Sequence, residues 1–119
     1  MKKITISLLL FSASILGAQV AWTGAGGNNL WSDANNWSSA PNLPTSSDDV
    51  SIGTNSITID IDAVCNNFTA GNLFSGGNIT INDNASLHVN GNYSNIRGLV
   101  TLNSSSNEYS SIKIDGNSS

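Results

Sequence analysis

The sequence predicts an all-β protein, a right-handed parallel β-helix whose start is closed by an aromatic cap, and three observations carry that expectation. All three tryptophans, Trp22, Trp31 and Trp37, lie in one polar stretch of Gly, Asn, Ser and Ala. Aromatic side chains bury more apolar area than any others, so these three must supply most of the local core. From Ile57 onward, short β-branched runs alternate with Asn and Gly, the pattern of half-buried strands between turns. The runs also repeat: Ile57-Thr58-Ile59, Ile79-Thr80-Ile81 and Val100-Thr101-Leu102 form one set, and Ala70-Gly71-Asn72, Asn90-Gly91-Asn92 and Asp115-Gly116-Asn117 end a second. A period of roughly 21 to 25 residues with at least two strands per copy suits one coil of a right-handed β-helix better than a hexapeptide left-handed one. An antiparallel β-sandwich is the rival, because Asn90-Gly91 and Asp115-Gly116 are also hairpin turns.

Taken in order, Met1 to Ala18 reads as a secretory signal peptide. Lys2 and Lys3 precede an apolar run from Ile4 to Leu16, and Leu16-Gly17-Ala18 offers a small residue for cleavage. The run is interrupted by Thr5, Ser7, Ser12 and Ser14 and falls short of the roughly 20 apolar residues that span a bilayer. Residues 19–53 are then expected to form the N-terminal cap, and 54–119 the first β-helix coils, incomplete at the C-terminus.

The formal charge of the whole chain is −4. After signal removal only Arg97 and Lys113 remain against eight carboxylates, so nothing marks a surface for nucleic acid or for an anionic membrane. Neutral glycans and a host or cell surface stay open as partners. A lone cysteine, Cys65, excludes an internal disulfide framework. With Leu, Ile, Val and Phe sparse, stability has to come from backbone ladders and stacking.

Within the cap, Gly24 to Asn29 is a loop, since Gly and Asn tolerate positive φ and no apolar period runs through it. It lacks the flanking strand, helix and lysine of a phosphate loop. Trp31 to Trp37 can hold a helical turn capped by Ser32 or Asp33, and almost no other helix is expected. Alternation then places Ile57, Ile59, Ile79, Ile81, Leu87, Val89, Val100, Leu102, Ile112 and Ile114 inward, with Thr58, Thr80, His88, Thr101 and Lys113 facing water. Phe68 falls out of phase with this repeat, which suggests a bulge or a distortion caused by the cap.

Trp22-Thr23-Gly24, Trp31, Asn36-Trp37, Pro41 to Pro44 and Asp48-Asp49-Val50-Ser51-Ile52 resemble the opening module of secreted Bacteroidota surface proteins in which a parallel β-helix follows. The resemblance covers roughly Gln19 to Ser119. Chains of that family commonly end in a type IX secretion sorting domain, and none is visible here, so the resemblance implies a partial protein whose first partner is its own downstream coils. Members range from adhesins to polysaccharide-degrading enzymes, so the family does not define one activity.

Each residue with chemical potential has a plain structural reading. His88 stands alone and so cannot build a two-histidine metal site. Asp60 and Asp62 share a strand face, an arrangement compatible with calcium binding or acid–base catalysis but more simply a solvated acidic face. Cys65 reads as a small buried apolar residue. The Asn-x-Ser/Thr triplets at Asn36, Asn67, Asn78, Asn84, Asn92, Asn103 and Asn117 follow from composition. Thr58, Thr80 and Thr101 make one exposed file suited to ice or a flat polysaccharide, but a single file of good strand formers carries little weight. The tryptophans could stack on sugars if exposed, and buried cap residues are the simpler expectation. Catalytic, cofactor and metal residues are therefore none. The sequence points to a secreted or cell-surface scaffold or adhesin-like protein, with a carbohydrate-binding module or the N-terminal part of a polysaccharide-acting enzyme as the alternative.

Overall fold

A computed structural model describes residues 18–105 and 107–119. The signal-peptide expectation falls almost wholly on residues 1–17, outside those described. Ten short strands follow, β1 (Gln19–Ala21), β2 (Asp49–Gly53), β3 (Ser56–Ile59), β4 (Asp62–Cys65), β5 (Phe68–Ala70), β6 (Asn78–Ile81), β7 (Ser86–Val89), β8 (Tyr93–Asn95), β9 (Val100–Leu102) and β10 (Ser111–Ile114). They form three sheets, in the orders β1-β2-β5-β8, β3-β6-β9 and β4-β7-β10.

The expected right-handed parallel β-helix is corrected by this arrangement: the strands make an all-β assembly of separate three- and four-stranded parallel sheets, not a regular solenoid. The reason lies in unequal intervals. Val20 pairs with Val50 across the whole tryptophan loop, Val50 with Phe68, and Phe68 with Tyr93, so no constant repeat length runs through the four-stranded sheet. Strands of three to five residues joined by corners as different as Thr54-Asn55 and Gly71–Gly77 give each round its own shape. The antiparallel sandwich is corrected too, because every pairing between named strands is parallel. A parallel pair cannot be closed by a two-residue hairpin, so Asn90-Gly91 and Asp115-Gly116 act as corners that carry the chain from one sheet to another.

Alternation sets the core. Ile57, Ile59, Ile79, Ile81, Leu87 and Val89 are buried, as expected, and Val100, Ile112 and Ile114 pack against the same cluster while partly exposed. Leu102, expected inward, is 49% exposed, because β9 is the outermost strand of its sheet. A third inward file, Val20, Val50, Phe68 and Tyr93, belongs to the four-stranded sheet; Phe68 and Tyr93 stack with ring centroids 5.4 Å apart. The proposed repeat Ala70-Gly71-Asn72 is also displaced. Asn66-Asn67 takes the place that Gly91-Asn92 and Gly116-Asn117 hold in later rounds, which brings Phe68 into register with Tyr93. The register shift lies on β2, between Ser51 and Gly53, opposite β5.

The segment 19–53 supplies β1, β2 and the tryptophan loop between them. Trp31 and Trp37 are each 1% exposed and Trp22 is half-buried, with Trp37 edge-on to both neighbours at 4.6 and 4.9 Å. The Trp37 indole N–H donates to the Trp31 carbonyl at 3.0 Å, so the cap buries its polar atom as well as its rings. Trp31 N–H donates to Thr58 O, and Thr58 N–H to Asn29 O, which places the loop on the free edge of β3. Asp33 caps the 3₁₀ turn Ala34–Asn36 by accepting from Asn35 N–H.

Asn36 is the buried polar residue at the centre of the cap. Its amide donates to Asn28 Oδ1 and Leu30 O, and its Oδ1 accepts from Gly26 N–H. A buried amide costs little only when its donors and acceptor are paired, and here they are.

Candidate functional site

Two surfaces combine exposure with organised chemistry. The first is the end of the molecule formed by β9, β10 and the segment Asn117–Ser119. There Tyr93, Val100, Ile112, Ile114, Ser118 and Ser119 line an open cavity of about 360 Å³. Ser118 bridges to Tyr93 and so stands next in the file Val20, Val50, Phe68, Tyr93, where a hydroxymethyl group replaces a large side chain.

A side-chain ladder leads to the same end. Asp49 Oδ1 accepts from Asn67 N–H at 3.2 Å, Asn67 Oδ1 from Asn92 N–H at 2.8 Å, and Asn92 Oδ1 from Asn117 N–H at 3.0 Å. Asp49 also receives the side-chain amides of Asn66 and Asn67. Each carboxamide thus holds the corner of the next round in register, and Asn117 occupies the last rung. The glycines beside the ladder are required by space: a Cβ on Gly91 would meet Asn67 Oδ1, and one on Gly116 would meet the Gly91 carbonyl.

The second surface is the outer face of β4-β7-β10. Register places His88 between Val64 and Lys113, and Ser86 between Asp62 and Ser111. His88 Nε2 lies 2.8 Å from Asp115 Oδ2, and Lys113 Nζ lies 3.4 Å from Asp115 Oδ1. The hydrogen bond from His88, with Lys113 assisting, holds the exposed Asp115 carboxyl below its ordinary range. These groups tie the outermost strand to β7. The alignment of Leu87-x-Val89 with Ile112-x-Ile114 is the sequence signal that places His88 beside Lys113; the reach of Asp115 back to His88 is not visible without coordinates.

Asp60 and Asp62 are not brought together as a working pair. Asp60 accepts from Ser32 N–H and pairs with the Ser32 hydroxyl, joining cap to body, whereas Asp62 accepts from Ser86 Oγ at 2.9 Å. Among the described residues no group of three His, Cys, Asp or Glu side chains could hold a metal ion. Thr58, Thr80 and Thr101 do form one in-register file. Asn36 is fully buried, so its triplet is not an accessible acceptor.

Cys65 is fully buried on β4, and burial first, with the Asp49 charge second, pushes its thiol up to about 12. The thiolate is the nucleophile, so Cys65 should resist alkylation of the native protein at pH 8 and react at the rate of a free thiol once denatured. Because the folded value of about 12 lies above the unfolded 9.0, this contribution to stability is complete below 9.0 and is lost as pH rises from there through about 12. Labelling followed by mass measurement, with and without urea, checks the expectation; rapid native labelling would contradict it.

These features define an all-β protein of three short parallel sheets under a tryptophan cap. No family model matches the chain, and no curated protein or solved structure gives a significant match.

Proposed function

We propose that the chain is a non-enzymatic scaffold or adhesin-like part of a secreted or cell-surface protein. One observation carries the reading: polar residues capable of chemistry are spent on ties between strands and corners. Asp49 holds Asn66 and Asn67, Asp60 holds Ser32, Asp62 holds Ser86, and Asp115 is held by His88. A catalytic centre would instead gather such groups around one cleft with opposed protonation demands. The cavity beside Ser118 is lined by apolar side chains and two serines, which suits packing against another polypeptide.

Export rests on the Lys2-Lys3 start and the apolar run up to Leu16. Glycan binding is a second reading with one feature in its favour, and that feature is not the tryptophans. Phe74, 92% exposed, is presented on a turn that Asn72 Oδ1 organises by accepting from Phe74 and Ser75 N–H. A ring held this way can stack on a sugar face.

Expression with export intact, followed by surface proteolysis and intact-mass analysis, tests the main reading. The expected result is exported protein beginning near Gln19, with no polysaccharide-cleaving activity. Turnover lost on Asp62→Asn or His88→Ala would overturn it. Saturable binding of a neutral glycan lost on Phe74→Ala would move the second reading ahead.

A further inference from the structure

We propose that Asn90-Gly91 is a self-modification site: once its corner opens, Asn90 converts through a succinimide to aspartate and isoaspartate, and the closed corner holds that reaction off. It is the one Asn-Gly pair in the sequence. Asparagine followed by glycine closes a succinimide faster than other asparagine pairs, because no side chain hinders the second residue's backbone nitrogen. The Gly91 nitrogen gives its proton to a solvent base and attacks Asn90 Cγ. The new N–Cγ bond completes a five-membered ring, while the Cγ–Nδ2 bond breaks and ammonia leaves with a proton taken from water. Water then opens the ring. Scission of the N–Cγ bond leaves aspartate, and scission at the other carbonyl leaves isoaspartate, whose main chain runs through Cβ and Cγ and is one methylene longer. Water is the only co-reactant, and nothing is oxidised or reduced.

The corner explains both the lability and its restraint. Glycine at 91 is required by space, since a Cβ there would run into Asn67 Oδ1, so close packing itself imposes the reactive pair. Asn90 is exposed, which gives water and base access to its amide. The attacking nitrogen, however, is engaged: Gly91 N–H donates to Asn66 O at 2.8 Å, and the Gly91 carbonyl accepts from Gly116 N–H at 3.0 Å. On either side, Asn90 N–H donates to Cys65 O at 3.0 Å and Asn92 N–H to Asn67 Oδ1 at 2.8 Å. The Asn90 side-chain amide donates to Ser46 O at 3.3 Å, which ties it to the segment before β2. Until these bonds part, the nitrogen can neither lose its proton nor swing onto Cγ.

Modification is one-way. Gly91 and Asn92 reach Asn66 and Asn67 in succession, and Tyr93 then pairs with Phe68. An added methylene at residue 90 breaks that succession, so an isoaspartate chain cannot reclose the corner and holds β8 less firmly. The site therefore marks chains that have opened here, and its rate reports how often they open.

Incubation of the folded protein, and of the same protein in denaturing urea, at mildly alkaline pH tests this, with peptide mass mapping and electron-transfer fragmentation to separate aspartate from isoaspartate. In urea Asn90 should convert first among the asparagines. In the folded protein it should convert about a hundred-fold more slowly, because the bonds from Gly91 to Asn66, Asn92 to Asn67 and Asn90 to Ser46 must all part and each is worth about a factor of five. Asn67→Ala removes one of the three and should speed conversion of the folded protein about five-fold, with the rate in urea unchanged. Urea below the unfolding transition gives a test that needs no variant. Opening one corner exposes little surface, so the rate should stay flat there; a rate that climbs with urea from the start would overturn gating by the corner in favour of whole-molecule unfolding. Equal rates in folded and denatured protein, or another asparagine converting ahead of Asn90 in urea, would overturn the proposal outright.

Discussion

Trp31→Ala is expected to lower the melting temperature by more than about 10 °C, or to prevent folding. The indole is 1% exposed and packs against Trp37, whose N–H depends on the Trp31 carbonyl for its partner. Truncating a buried aromatic removes its transfer energy and leaves a cavity, which together cost about 3–5 kcal/mol. For a domain of about a hundred residues each kcal/mol corresponds to roughly 4–8 °C. The loss is large against the roughly 5–15 kcal/mol that separates folded from unfolded chains. Trp22→Ala is the control: its ring is half-buried and makes one edge contact, so it should cost distinctly less. Thermal denaturation followed by circular dichroism measures both. Nearly equal melting temperatures for Trp31→Ala and the parent would show that the cap does not hold the first strands.

A second large effect is expected at Gly71, and comparison with Gly27 isolates its cause. Both glycines sit at positive φ, +77° and +75°, so alanine meets the same backbone strain at each, about 1–2 kcal/mol. Only space differs. Nothing lies near a Cβ on Gly27, whereas one on Gly71 would overlap the carbonyl of Ile96 and crowd that of Ser75. Those atoms are backbone of the adjoining corner and cannot rotate away. Overpacking of this kind adds roughly 1–3 kcal/mol, so Gly71→Ala should cost more than Gly27→Ala by about that amount. Equal losses in chemical denaturation would mean that φ alone governs both sites and that the corners are not in close contact.

Close corner contact explains how much of this protein sequence can express. The alternation of Ile57-Thr58-Ile59, Ile79-Thr80-Ile81 and Leu87-His88-Val89 determines which side chains enter the core, because strand geometry sends successive residues to opposite faces whatever the partner strand is. The tryptophan cluster is similarly legible: three large apolar rings in a polar segment have few ways to leave water except by burying one another. Cys65 and the near absence of helix among the described residues follow from the same local rules.

Pairing partners and sheet closure belong to the tertiary structure. The four-stranded sheet collects Val20, Val50, Phe68 and Tyr93 from positions with no common interval, so periodicity could not reveal it and suggested a uniform solenoid instead. The equivalence of Asn66-Asn67 with Gly91-Asn92 is also invisible in the letters, since an asparagine and a glycine can fill the same corner when the oxygen of Asp49 or Asn67 waits below. Carboxylates that look paired along the chain, Asp60 and Asp62, are divided between Ser32 and Ser86 because the chain turns from one sheet to the next between them. Local stereochemistry decides which way a side chain points; only the packed chain decides what it meets there, because each hydrogen bond across rounds joins residues that are distant in sequence and close only when all three sheets have formed.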